Sequence, residues 1–111
     1  MQTWLETKKE ILENYLPKEA LVSVINLIES YPCQLKVVGK RRSKHGDFKK
    51  FSYGRLQITV NNDLNPYRFL LTLIHELAHL ITFEEYKNVK HHGKEWKQNF
   101  KLLMLPFLKP N

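Results

Sequence analysis

Apolar positions in the first thirty residues recur at helical spacing. Trp4, Leu5, Ile11, Leu12 and Tyr15 fall near a 3.6-residue repeat, and Thr3 followed by Glu6 has the form of a capping box. Pro17 then restarts the chain as a first helical residue. Ala20, Leu21, Val24, Ile25 and Ile28 make a second stripe that stops at Tyr31-Pro32. The pattern predicts two helices, or one broken at Pro17. From Gln34 the period changes. Leu35, Val37 and Val38 read as a strand, 39–47 as a polar, basic connection, and Phe48 to Tyr53 as a second strand. Leu56, Ile58 and Val60 alternate with Gln57, Thr59 and Asn61, the period of two of a half-buried strand, and Gly54 marks the turn before it.

A helical period returns after Asn65-Pro66, where the asparagine can cap and the proline suits the first helical position. Tyr67, Leu70, Leu71, Ile74, Leu77, Ala78 and Ile81 form a broad apolar face, predicting a helix to about Tyr86. A polar link from Lys87 to His92 leads to a last helix, with Trp96, Phe100 and Leu103 on one face and Pro106 ending it. Helices, then strands, then helices predict an α+β architecture with a small three-stranded sheet, antiparallel or mixed. At 111 residues, the chain is expected to form a single domain over 1–111.

Composition narrows the class. A hydrophobic content of 42% with 12% aromatics fits a folded globular chain, not a disordered one. The apolar run around Leu70 to Ile81 is interrupted by His75, Glu76 and His79, so no membrane span is expected. The N-terminus lacks the apolar core and cleavage site of a signal peptide, and the one cysteine, Cys33, excludes an internal disulfide or a Cys-x-x-Cys zinc ribbon within these residues. A cytoplasmic monomer is the expectation. The net charge of +7 is concentrated: Lys36, Lys40, Arg41, Arg42, Lys44, Lys49, Lys50 and Arg55 are opposed only by Asp47. Such a segment suits a polyanion, and nucleic acid is the expected partner, with Phe48, Phe51 and Tyr53 available to stack on bases. The plain alternative is a solvated, lysine-rich hairpin.

The stretch LIHELAHLI carries the chemistry. On a helix His75 and His79 project to the same side, so both imidazoles can bind one zinc ion at about 2.0–2.1 Å. Glu76 lies about 100° around the helix, beside the ligands, where a carboxylate can serve as general base toward a zinc-bound water. The alternative is a core helix with two satisfied histidines. Three adjacent polar groups on an apolar helix are costly without partners, which weighs against it. Two protein ligands leave the metal incomplete. Glu84 and Glu85 lie over a turn beyond His79 on the same helix, whereas His92 follows a link long enough to fold back, and Gly93 permits a tight backbone approach. His91 is the near alternative.

The pair His75-Glu76-Leu77-Ala78-His79 and His92-Gly93-Lys94-Glu95-Trp96 resembles the SprT-like zinc metalloprotease family, which includes the DNA-dependent protease Spartan and joins H-E-x-x-H to a later H-G-x-x-[FW]. Leu56 to Asn61, running into a helix through Asn65-Pro66, is similar to the family's strand-to-helix entry. The likeness extends from about Leu35 to Phe100. It implies a zincin-like fold, zinc held by His75, His79 and His92, and Glu76 as catalytic base. It also implies cleavage of DNA-bound or DNA-crosslinked protein, hence a nucleoid-associated or nuclear location. Two departures stand out: no C-terminal zinc ribbon precedes Asn111, and Ala78 replaces a common cysteine. The apolar end from Leu105 to Asn111 reads as a truncation. The alternatives are another small zincin peptidase of YgjP-like type, or a nucleic-acid-binding module with a non-catalytic zinc. Tyr53, Arg68 and Tyr86 are the candidates for stabilising an oxyanion.

Overall fold

In the computed structural model the backbone is described for residues 3–108 and the side chains from Lys8 to Leu108. The elements run α1 (Thr3–Glu13), a 3-10 turn (Lys18–Ala20), α2 (Leu21–Ser30), β1 (Gln34–Val38), β2 (Gly46–Lys50), β3 (Leu56–Asn61), α3 (Pro66–Glu85), α4 (Lys94–Met104) and a closing 3-10 turn (Leu105–Phe107). This is the expected α+β architecture. The predicted capping pair Thr3 and Glu6, and the packing of Trp4 and Leu5, lie outside the described side chains.

The sheet has the order β1-β3-β2 and is mixed: β1 runs parallel to β3 and β2 antiparallel. Alternation in β3 turns Ile58 and Val60 wholly inward. The opposite face carries Thr59 and Asn61, and Arg41 bridges them, its Nε donating to Asn61 Oδ1 at 2.8 Å and its Nη1 to Thr59 Oγ1 at 3.0 Å. The connection from β1 to β2 passes over the end of β3 and is tied there by Asn61. Its Nδ2 donates to the carbonyls of Lys44 and Arg41 at 2.7 and 3.3 Å, and its backbone N–H to the His45 carbonyl at 2.8 Å. A fully buried asparagine satisfied in this way sets the register of the basic loop against the sheet.

Three features differ from the sequence expectation. Pro17 does not open a helix; it precedes the 3-10 turn with ψ of 140°, and α2 starts only at Leu21. The second strand is Gly46–Lys50, two residues earlier than predicted, because Phe51–Arg55 closes the hairpin with Gly54 at φ 90°. Most consequentially, α3 is buried on more than one side. Phe69, Leu73 and Leu80 are enclosed, while Tyr67 and Leu71, predicted inward, are 65% and 40% exposed. A helix packed against β2, β3 and α4 together buries more than one stripe. Asn65 and Pro66 behave as predicted, with Asn65 Oδ1 accepting from the Arg68 N–H at 2.9 Å.

Gly46, at the start of β2, lies against the middle of α3. A Cβ there would sit 2.6 Å from Thr72 Cγ2, 3.0 Å from the Thr59 carbonyl oxygen and 3.2 Å from Glu76 Cγ. Gly46→Ala should therefore cost about 1–3 kcal/mol through overpacking, measured by urea denaturation. Adding Thr72→Ser, which removes the nearest methyl, should restore part of that loss; no recovery would place the clash elsewhere.

Candidate metal centre

The centre lies on α3. His75 and His79 occur one turn apart on the helix flank that α4 covers, and the link after Tyr86 brings His92 back over them. His92 Nε2 lies 3.0 Å from His79 Nε2 and 3.2 Å from His75 Nε2. The three donor atoms all fall within 4.8 Å of one another, a group that could hold a metal ion. A tetrahedral zinc with Zn–N bonds of about 2.0–2.1 Å spaces its nitrogen ligands about 3.3 Å apart. Three converging ring nitrogens at these separations have the chemistry and spacing of a ligand set.

His92 reaches this position through an uncommon backbone. It is the one non-glycine residue with positive φ (56°) among the described residues, a conformation that costs a side chain about 1–2 kcal/mol. The turn is closed by the Gly93 N–H donating to the Lys90 carbonyl at 3.0 Å. Gly93 is required for space: a Cβ would meet that carbonyl oxygen at 3.0 Å and Lys90 Cβ at 3.2 Å. The glycine thus permits the close approach, while the histidine itself adopts the left-handed conformation.

Trp96 locks the cluster from the side. Its ring centroid lies 4.8, 5.4 and 4.7 Å from those of His75, His79 and His92, it stacks on Phe100 at 5.1 Å, and its Nε1 donates to the His75 carbonyl at 3.3 Å. Asn99 fastens α4 to α3 further along, donating to Thr82 Oγ1 at 2.9 Å and Glu85 Oε1 at 3.1 Å.

Burial tunes the titratable groups. Desolvation first, and His92 second, lower the pKa of His75. Desolvation and the neighbouring imidazoles push His79 down to about 4. Both favour the neutral imidazole that a metal requires. Glu76 is only 7% exposed, and its pKa is raised to about 7, chiefly by desolvation and then by Asp47, against the pull of Arg41 and Lys44.

A stability consequence follows for the metal-free protein. The folded state holds the Glu76 proton up to about pH 7, whereas the ordinary value is 4.5. Its contribution to stability is present below 4.5 and is lost as pH rises through about 7. Glu76→Gln stays neutral, so its stability relative to wild type should grow by about 3 kcal/mol across that window. The histidines titrate in both proteins and cancel in the difference. Chemical denaturation at pH 4.5 and 8 measures it; a constant difference would refute the burial penalty.

The other predicted candidates are dispersed. His91 is exposed, with its ring 5.3 Å from that of His79 and outside the three-nitrogen group. Glu85 accepts from Asn99, and Glu84 lines a different recess. Tyr53 is 73% exposed at the hairpin turn, stacked on Phe51, and lines neither cavity that opens on the histidines. Arg68 lines the cavity beside His75 and Glu76, and Tyr86 the one beside His79 and His92. Gly46, Thr72 and Asp47 also surround Glu76, a role no spacing in the sequence signals, because it arises from β2 crossing α3. A further recess, about 1060 Å³, is lined by none of the three histidines; Cys33 lines it with its thiol pKa raised by burial, the opposite of an activated nucleophile.

Fold and site together define an α+β domain that gathers three imidazoles and a buried glutamate around its central helix. The chain belongs to the SprT-like family, whose model matches residues 32–105. It is 37% identical over 97 residues to Protein SprT of Vibrio parahaemolyticus serotype O3:K6 (strain RIMD 2210633), a match covering 76% of this chain and 54% of that protein. The chain spans about half the length of this curated relative. No solved structure matches it. Among the described residues no helix is long and apolar enough to cross a membrane.

Proposed function

We propose that the chain is a zinc-dependent endopeptidase with His75, His79 and His92 as metal ligands and Glu76 as general base. The observation that carries this reading is the convergence of three Nε2 atoms beside the buried carboxyl of Glu76. Zinc held by these imidazoles would supply Lewis-acid polarisation and lower the pKa of a water there. Glu76 accepts a proton from the attacking water and returns it to the departing amine, and its buried place next to His75 on the helix holds the carboxylate for both transfers. Trp96 and the His92 turn keep the imidazoles oriented. Zinc content by elemental analysis, together with casein and histone cleavage with and without single-stranded DNA, tests the reading. A stoichiometric metal with no cleavage of any protein would favour a nucleic-acid-binding module.

The substrates in this reading are proteins held on DNA, and exposed basic residues from Lys36 to Arg55 support it. Arg41 is not assigned to the DNA contacts, because its guanidinium turns inward onto Asn61 and Thr59 and its Nη2 is buried. Lys44 is partly engaged by Asp47 at 3.6 Å. Lys40, Arg42 and Lys49 are left exposed to meet phosphates. Replacing these three by alanine should weaken binding of a labelled oligonucleotide and reduce the salt slope by roughly one unit for each phosphate no longer neutralised. An unchanged slope would remove this segment from the DNA surface.

A further inference from the structure

Two cavities open on the histidine cluster. One, about 310 Å³, is lined by His75 and Glu76 together with Lys44, His45 and Arg68. The other, about 280 Å³, has His79 and His92 in its wall, and β2 runs from the first cavity at Gly46 to the second at Phe48 and Lys50. The second has an unusual lining. Phe48 and Phe83 pack at 6.1 Å to form an apolar surface, and two ammonium groups sit over the same Phe83 ring: Lys50 Nζ at 4.7 Å and Lys87 Nζ at 5.1 Å from its centroid. Lys90 adds a third cation, and no described residue lining the cavity is a carboxylate.

Like charges gathered around one aromatic ring repel, and the ring compensates only in part. In a recess with low-dielectric walls their field is focused on whatever enters. The volume is just below the usual range for small-molecule sites, about 300–1,000 Å³, and suits a single side chain. Because the metal ligands His79 and His92 form part of its wall, an occupant would lie immediately beside a bond being cut at the cluster. We propose that this cavity is a substrate subsite that accepts an acidic side chain, aspartate or glutamate, flanking the scissile bond. The methylenes of the side chain pack on Phe48 and Phe83, and its carboxylate meets Lys50 and Lys87. A DNA phosphate has the same charge, but the aromatic floor and the position against the metal ligands favour a peptide side chain. This inference rests on the peptidase reading of the site.

Its test separates binding from hydrolysis. Fluorescein-labelled peptides carrying Glu, Ala or Lys at single positions are titrated by anisotropy into zinc-loaded Glu76→Gln protein, and the same peptides are offered to wild type for cleavage. At the position filling the cavity, the Glu peptide should bind about tenfold tighter than the Lys peptide at low salt, with the ratio shrinking as salt rises. Adding Lys50→Glu and Lys87→Glu should abolish or invert that ratio, with zinc content unchanged. Equal binding of Glu and Lys peptides at every position overturns the proposal, as does a preference that survives both reversals. If a single-stranded oligonucleotide, and no peptide, depends on Lys50 and Lys87, the cavity is a phosphate site and the proposal falls. If the binding preference holds but wild type cleaves none of the peptides, the cavity is an acidic-side-chain binding site, and both the hydrolytic reading and the place beside a scissile bond fall.

Discussion

Glu76→Gln is expected to keep stoichiometric zinc and to lose about two to four orders of magnitude in kcat, with little change in KM. The substitution removes one proton acceptor and leaves the three imidazoles in place, and general-base catalysis contributes about 10²–10⁴-fold. Glu76 is nearly enclosed beneath Gly46, so a glutamine of the same shape fits, and the burial that raises the carboxyl pKa makes the neutral amide cheaper to hold. Steady-state kinetics on a protein substrate, paired with elemental analysis, measures both quantities. Retained zinc with unchanged turnover would remove Glu76 from the chemistry. Loss of zinc would instead make it a structural support for the ligands.

Removing a ligand should have the other large effect. His79→Ala and His92→Ala are each expected to lower zinc affinity by several-hundredfold. If the binding free energy of about 10–16 kcal/mol typical of structural zinc in peptides is shared over four ligands, each is worth about 2.5–4 kcal/mol. His91→Ala should change affinity little, because its ring lies outside the converging nitrogens. Competition against a chromophoric chelator ranks the three variants. A result in which His91→Ala weakens binding more than His92→Ala would move the third ligand by one residue and discard the left-handed His92 turn as the ligand-bearing one. His92→Ala carries a second expectation: its positive φ is tolerated in the wild type because the link is held between Lys90 and Gly93, so His92→Gly should be more stable than His92→Ala by up to about 1 kcal/mol.

Much of the arrangement was legible from local patterns. The alternation from Leu56 to Asn61, the Asn65-Pro66 helix start and the placement of His75 and His79 on one helix face depend on neighbours within a turn or a strand. The enclosed face of α3 and the inward turn of Arg41 depend on distant partners. Tyr67 and Leu71 satisfy a helical stripe as well as Phe69 and Leu73 do, and only packing against β2, β3 and α4 decides which are enclosed. Arg41 reads as one more cation in a basic run, yet the buried Asn61 turns it inward, because an asparagine in the core must find hydrogen-bond partners.

The sequence by itself determined the α+β order of elements, the family to which the chain belongs, and the pair of histidines with a glutamate beside them, since each is set by short-range periodicity or by a contiguous motif. The tertiary structure alone decided how deeply Glu76 is enclosed, that His92 reaches the pair through a left-handed backbone, and that two lysines from separate segments share one aromatic ring beside the cluster. Each of these depends on a chain reversal or a strand crossing a helix. The positions of such contacts are selected by the free energy of burying the whole core, which no local window of residues contains.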